Sequence, residues 1–95
     1  MDAVESTSDS IRERLGAALP QALKEHDTVA VTAIRSGLAA IESASAEPSE
    51  SDLLAIVLAQ AAEREGEAAN HRANGQSEAA DALTAEAAYL REFTV

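Results

Sequence analysis

Between Asp27 and Ala44 two apolar stripes run side by side at helical spacing. One is bulky, made of Val31, Ile34, Leu38 and Ile41. The other is small, made of Ala30, Ala33, Gly37, Ala40 and Ala44. A helix that is apolar on adjoining faces must be covered on two sides. This segment is therefore predicted to be the central helix of a bundle, capped by Asp27. The small stripe lets one neighbour approach more closely than the other.

The flanking pattern supplies the neighbours. A first helix is predicted from about Ser8 or Ser10 to Glu25, with Ile11, Leu15, Ala18, Leu19, Ala22 and Leu23 facing inward. Pro20 interrupts this pattern. An internal proline loses one backbone hydrogen bond and collides with the carbonyl four residues back, here that of Gly16. A kink or short break is predicted around 16–20. The stretch from Ser43 to Ser51 breaks the periodicity, and Pro48 biases Glu47 away from helix. Ser49 and Asp52 then form a capping box with a short acid. A third helix follows, from about Glu50 to Asn74. Its ridge is dense at Leu53, Leu54, Ile56, Val57, Leu58 and Ala61, then thins to Ala62, Ala68 and Ala69, so its second half is expected to project or pack loosely. Asn74-Gly75 is a helix stop, with Gly75 suited to the left-handed position after the C-cap. Ser77 is predicted to cap a fourth helix running from Glu78 to Phe93, with Ala80, Leu83, Ala87 and Leu90 inward. Short connections make neighbouring helices antiparallel. The expected fold is all-α: a small four-helix domain of two antiparallel helical hairpins over residues 9–95. Residues 1–8 read as a disordered N-terminus.

Composition narrows the picture. Alanine inflates the apolar fraction of 46%, and the aromatics are only Tyr89 and Phe93. Burying a Leu, Ile or Val contributes roughly 1.5–3 kcal/mol and an Ala far less, so the core is thin. With no cysteine, disulfides, thiolate catalysis and Cys-based zinc sites are excluded. The acidic start has no apolar core of the kind a secretory signal needs. No apolar run approaches the ~20 residues of a membrane-spanning helix. The expectation is a cytoplasmic protein without a membrane role. The net charge of −10 is spread along the chain without a Lys/Arg cluster. Such a surface gains no counterion-release attraction to phosphate backbones, which argues against direct nucleic-acid binding.

Candidate chemistry is sparse. The two histidines, His26 and His71, fall at a predicted helix end and on a charged face. Glu63, Glu65 and Glu67 alternate in sequence, which scatters them around a helix axis. No HExxH, glycine-rich phosphate loop, GxSxG turn or EF-hand spacing occurs. No catalytic, cofactor-binding or metal-binding residue is predicted. Arg35 lies at the edge of the bulky stripe, where a partly buried guanidinium needs a carboxylate. The plain expectation is an arginine snorkelling from the bundle edge; the sharper one is an anion contact or an ion pair, with Glu86 or a glutamate of the third helix as the candidate partner.

One resemblance covers about residues 11 to 93. The segment DTVAVTAIRSGLAAIE, with Asp27, Arg35 and Ala39 at their spacing, resembles a D-K-x6-R-x3-A segment of the GatB/YqeY-like family. A long helix carrying Arg64, the turn at Gly75, then Asp81, Glu86, Leu90 and Phe93 is similar to that family's third and fourth helices. Gln76 departs from the basic residue usual there, and the third helix has lost several Lys/Arg. Relatives continue past the position of Phe93 into a second helical domain, similar to the tail of the tRNA-dependent amidotransferase B subunit. The resemblance thus implies the N-terminal helical half of such a protein. It links the chain to glutamine-dependent amidation of aminoacyl-tRNA, a carbon–nitrogen ligase reaction, but carries no catalytic residue into this region.

Three readings follow. The first is a non-catalytic helical module that works through a protein partner, with Arg35, Arg64 and Glu86 as structural or interaction residues. The alternative is a stand-alone acidic interaction module or homodimer, using the alanine-rich face of the third or fourth helix. The third, an enzyme in its own right, lacks a convergent constellation.

Overall fold

The computed structural model describes residues 10–44 and 47–95. The N-terminal expectation for residues 1–8 lies outside them. The described residues form an all-α bundle of four helices: α1 (Ile11–Lys24), α2 (Thr28–Glu42), α3 (Glu50–Ala73) and α4 (Ser77–Glu92).

Local chemistry explains most helix ends. The Ser10 hydroxyl accepts the Glu13 N–H while the Glu13 carboxylate accepts the Ser10 N–H, a reciprocal capping box. Ser49 and Asp52 repeat it at the start of α3. Asp27 caps α2 by accepting the Ala30 N–H at 3.1 Å. Ser77 does not cap α4 as expected. It is the first helical residue, and Gln76 occupies the N-cap without a side-chain capping bond.

Both hairpin turns end their first helix in the same way. After α1, the Asp27 N–H donates to Ala22 O and the His26 N–H to Leu23 O. After α3, the Gln76 N–H donates to His71 O and the Gly75 N–H to Arg72 O. These are Schellman motifs, which place the residue after the C-cap in the left-handed region. Gly75 sits there at φ 78° and His26 at φ 56°.

Of the expected kink or short break in the first helix, the break does not occur. Helix α1 is unbroken through Pro20, and both Pro20 and Gly16 are exposed. The proline's missing donor therefore lies on the water side, and Gly16 has open space around it.

Helix α2 touches the other three helices, as a central helix must. Its buried face is Ala30, Ala33, Ile34, Gly37 and Ile41, the spacing of one helical stripe. That face straddles the seam between the small and bulky stripes. Val31 and Leu38, on the outer side of the bulky stripe, are only half-buried. At the seam, a Cβ on Gly37 would stand 3.4 Å from both Leu15 Cδ1 of α1 and Leu90 Cδ2 of α4. That is the near edge of ordinary van der Waals contact, so Leu15 and Leu90 close over α2 with room for no more than a methyl group at Gly37. Leu15, Ile34, Ile41, Val57 and Leu90 are the largest fully buried side chains.

Leu23 departs from expectation. It was assigned to the inward face of the first helix but is 46% exposed. Ala22 takes the buried position in that last turn, which rotates its neighbour outward. Leu58 and Leu83 are half-buried. The second half of α3 projects beyond the main core, as expected: Ala68 is its one buried residue, with Ala80 of α4 also buried there.

Candidate functional site

The densest arrangement of charged side chains lies along the α3–α4 seam. Arg64 Nε donates to Glu86 Oε1 at 3.0 Å, with the two side chains only 12% and 14% exposed. Arg64 Nη1 also donates to Gln60 O and Oε1, at 3.2 and 2.9 Å. Nearer the turn, Arg72 Nη1 donates to Asp81 Oδ1 at 3.2 Å. Away from the turn, Arg91 grips Glu65 through Nε and Nη2, both at 2.9 Å. A two-pronged guanidinium–carboxylate contact of this kind fixes geometry as well as charge. Its hydrogen bonds hold the Glu65 carboxyl below the ordinary carboxylate range and push the Arg91 guanidinium upward.

These residues are spaced as an antiparallel hairpin requires. Each of these arginines meets an acid on the facing helix. Arg64 and Glu86 were predicted as structural or interaction residues, and they meet each other. Of the two expectations for Arg35, snorkelling from the bundle edge holds and pairing with Glu86 does not. Arg35 is exposed and makes no ion pair among the described residues. The reason is the rotation of α2: with its seam inward, the position after Ile34 faces water, while Arg64 stands opposite Glu86. Sequence reasoning missed the Arg72–Asp81 and Arg91–Glu65 pairs. Their offsets from Gly75 are unequal, three and six residues for Arg72 and Asp81 and ten and sixteen for Glu65 and Arg91, so only the register of the two helices reveals them.

Two further contacts bind helix ends. The Glu50 carboxylate accepts the Ile11 N–H at 3.2 Å, placing an anion at the N-terminus of α1. Arg14 Nη2 donates to Phe93 O at 3.1 Å, placing a cation at the C-terminus of α4. Both match the sign of the helix dipole. These residues line a groove of about 430 Å³ with Ile11, Leu54 and Val95. The groove's ionic groups are thus already engaged on backbone. Tyr89 packs edge-on to Phe93 with centroids 5.3 Å apart. Burial, with help from Asp27, Glu92 and Glu25, pushes its phenol above the usual range.

The histidines stand in different turns. His26 is exposed at the end of α1. His71 Nδ1 lies 2.6 Å from Gln76 Oε1, a geometry that has the ring N–H donate. His71, Gly75, Gln76 and Ser77 line a surface hollow of about 510 Å³ at the tip of the α3–α4 hairpin. Among the described residues no group of three or more His, Asp or Glu side chains is placed to hold a metal ion, and no helix is long and apolar enough to cross a membrane.

No family model, curated protein or solved structure matches this chain.

Proposed function

We propose that this chain is a non-catalytic helical module, cytoplasmic, that acts by docking on a protein partner. The observation that carries this reading is the use made of its charged residues. Arg64, Arg72 and Arg91 are each committed to an acid across the α3–α4 seam. Arg14 and Glu50 are committed to helix ends. Side chains spent in this way hold a surface in shape and are not free to bind and turn over a substrate.

The setting we propose is glutamine-dependent amidation of aminoacyl-tRNA. It rests only on the resemblance of residues 11–93 to the GatB/YqeY-like family. Arg64, Asp81, Glu86 and Leu90, which carry part of that resemblance, are here cross-ties or core of one hairpin. That use is consistent with a motif that maintains a scaffold. The net charge of −10 favours contact with the protein side of such an assembly over its RNA.

A pull-down of the full chain with a tRNA-dependent amidotransferase, alongside aminoacyl-tRNA alone, tests the proposal. Recovery of the amidotransferase without need of RNA is expected. Recovery of neither, together with concentration-dependent dimerisation in sedimentation, would replace it with self-association.

A further inference from the structure

The turn between α3 and α4 carries chemistry that this reading does not use. Asn74 is exposed and precedes Gly75. Glycine has no Cβ to shield its backbone nitrogen, so a neighbouring side-chain amide is open to attack by it. We propose that Asn74 is a site of spontaneous deamidation, and that the hydrogen-bonded turn around Gly75 is the lock that sets its rate.

The reaction balances with water alone. The Gly75 nitrogen gives up its proton and bonds to Asn74 Cγ. The Cγ–N bond of the side chain breaks, and the amide leaves as ammonia with that proton. The resulting succinimide takes up water at either carbonyl. One opening gives aspartate and the other isoaspartate.

The folded turn opposes the first step. The Gly75 N–H donates to Arg72 O at 3.1 Å, and the next donor, the Gln76 N–H, to His71 O at 2.8 Å. Asn74 itself is held at φ −95° and ψ 10°. Ring closure requires rotation about that ψ, which swings the Gly75 nitrogen away from the Arg72 carbonyl. The turn must open before the amide can react. Opening here is a local event, because the flanking residues are exposed and α4 begins without a side-chain cap. The chain's other asparagine, Asn70, lies inside α3 and precedes His71. Both the helix ladder and the following ring protect it.

The products would alter the hairpin. Aspartate adds negative charge at the C-terminus of α3, where the helix dipole disfavours it. Isoaspartate inserts an extra backbone carbon between α3 and α4, which breaks the spacing of both turn bonds.

The test is incubation of the full chain at mildly alkaline pH in heavy-oxygen water, with peptide mapping of both asparagines. A free peptide of residues 70–80 runs in parallel. Asn74 should convert to a mixture of aspartate and isoaspartate while Asn70 persists. The peptide should react roughly tenfold faster than the folded chain or more, equivalent to an opening free energy of at least about 1.4 kcal/mol. Gln76→Ser, which supplies the missing cap, should slow the folded chain and leave the peptide unchanged. Loss of Asn74 no faster than Asn70 would eliminate the site. Equal rates in chain and peptide, or a Gln76→Ser variant that reacts as fast as its parent, would eliminate the lock.

Discussion

Replacing His26 by glycine should stabilise this protein although it removes a side chain. His26 occupies the left-handed position of the α1–α2 turn at φ 56°. An L-residue in that conformation costs roughly 1–2 kcal/mol, because Cβ crowds the following carbonyl. Histidine is enriched there relative to most residues, which places it near the lower figure, about 1 kcal/mol. Glycine escapes the crowding but gives the unfolded chain more freedom, which takes back a few tenths of a kcal/mol. The ring is exposed, so little packing is lost. The net gain should be about 0.5–1 kcal/mol, a rise in Tm of roughly 2–8 °C for a domain of this size. Thermal and urea unfolding followed by circular dichroism would measure it, with the urea midpoint moving at unchanged slope. His26→Ala is the control. It removes the same ring and keeps the Cβ, so it should bring no gain. An equal gain from both variants would move the strain from the backbone to the ring, and a loss in His26→Gly would refute the argument.

Four other outcomes follow from the same geometry. Gln76→Ser supplies the side-chain cap that α4 lacks and should add about 0.5–1 kcal/mol, read as a higher urea midpoint even though the exposed His71 contact is lost. Ile34→Ala, at a fully buried position, should cost about 2–5 kcal/mol; Leu38→Ala, half-buried, should cost clearly less, and equal losses would contradict the placement of the α2 seam. A double-mutant cycle of Arg64→Met and Glu86→Gln should give a coupling of about 1–2 kcal/mol, between the ranges for exposed and buried pairs; a coupling near zero would show the pair to be ornamental. Arg91 holds the Glu65 carboxyl below its ordinary 4.5, so the folded chain favours the ionised form. That contribution is present above the unfolded value and is lost as pH falls through the folded one; Glu65→Gln should therefore destabilise at neutral pH, with the deficit closing in acid, and a deficit that grows in acid would reverse the sign of the argument.

The sequence was most legible where structure is set by near neighbours. Asp27 and Ser49 were readable as caps because an N-cap bonds only to residues two or three positions on. Gly75 was readable as a stop because few residues tolerate its backbone conformation. His26 was not, since nothing in its side chain announces a left-handed turn. The stripes of α2 revealed a helix with several neighbours but not which line between them points inward. That rotation decides the fate of Arg35, Leu38 and Val31, and at the buried seam Leu15 and Leu90 pack over Gly37. The same uncertainty of rotation made Leu23 read as core. On the seam between α3 and α4, Arg64 and Glu86 were legible as important residues. Their mutual pairing was not, because it depends on the register of two helices across a turn.

The two hairpins are held together by different forces. Around α2 the cohesion is apolar, from Leu15, Ile34, Ile41, Val57 and Leu90. Toward the α3–α4 turn the buried side chains shrink to Ala68 and Ala80, outside the main core. A 24-residue α3 is about 36 Å long, against about 22 Å for the 15-residue α2, so the hairpin tip reaches past the bulky core. Alanine contacts there contribute little area, and the Arg72–Asp81 pair nearest the turn is exposed, with side chains 51% and 72% accessible. Salt screens such a pair, while it leaves the buried leucines and isoleucines untouched. The tip is therefore the part that opens first and at least cost. It is also where Asn74 sits and where α4 has no cap. The stable end of the molecule keeps the bundle's shape, and the end that yields is the one whose backbone is chemically most exposed.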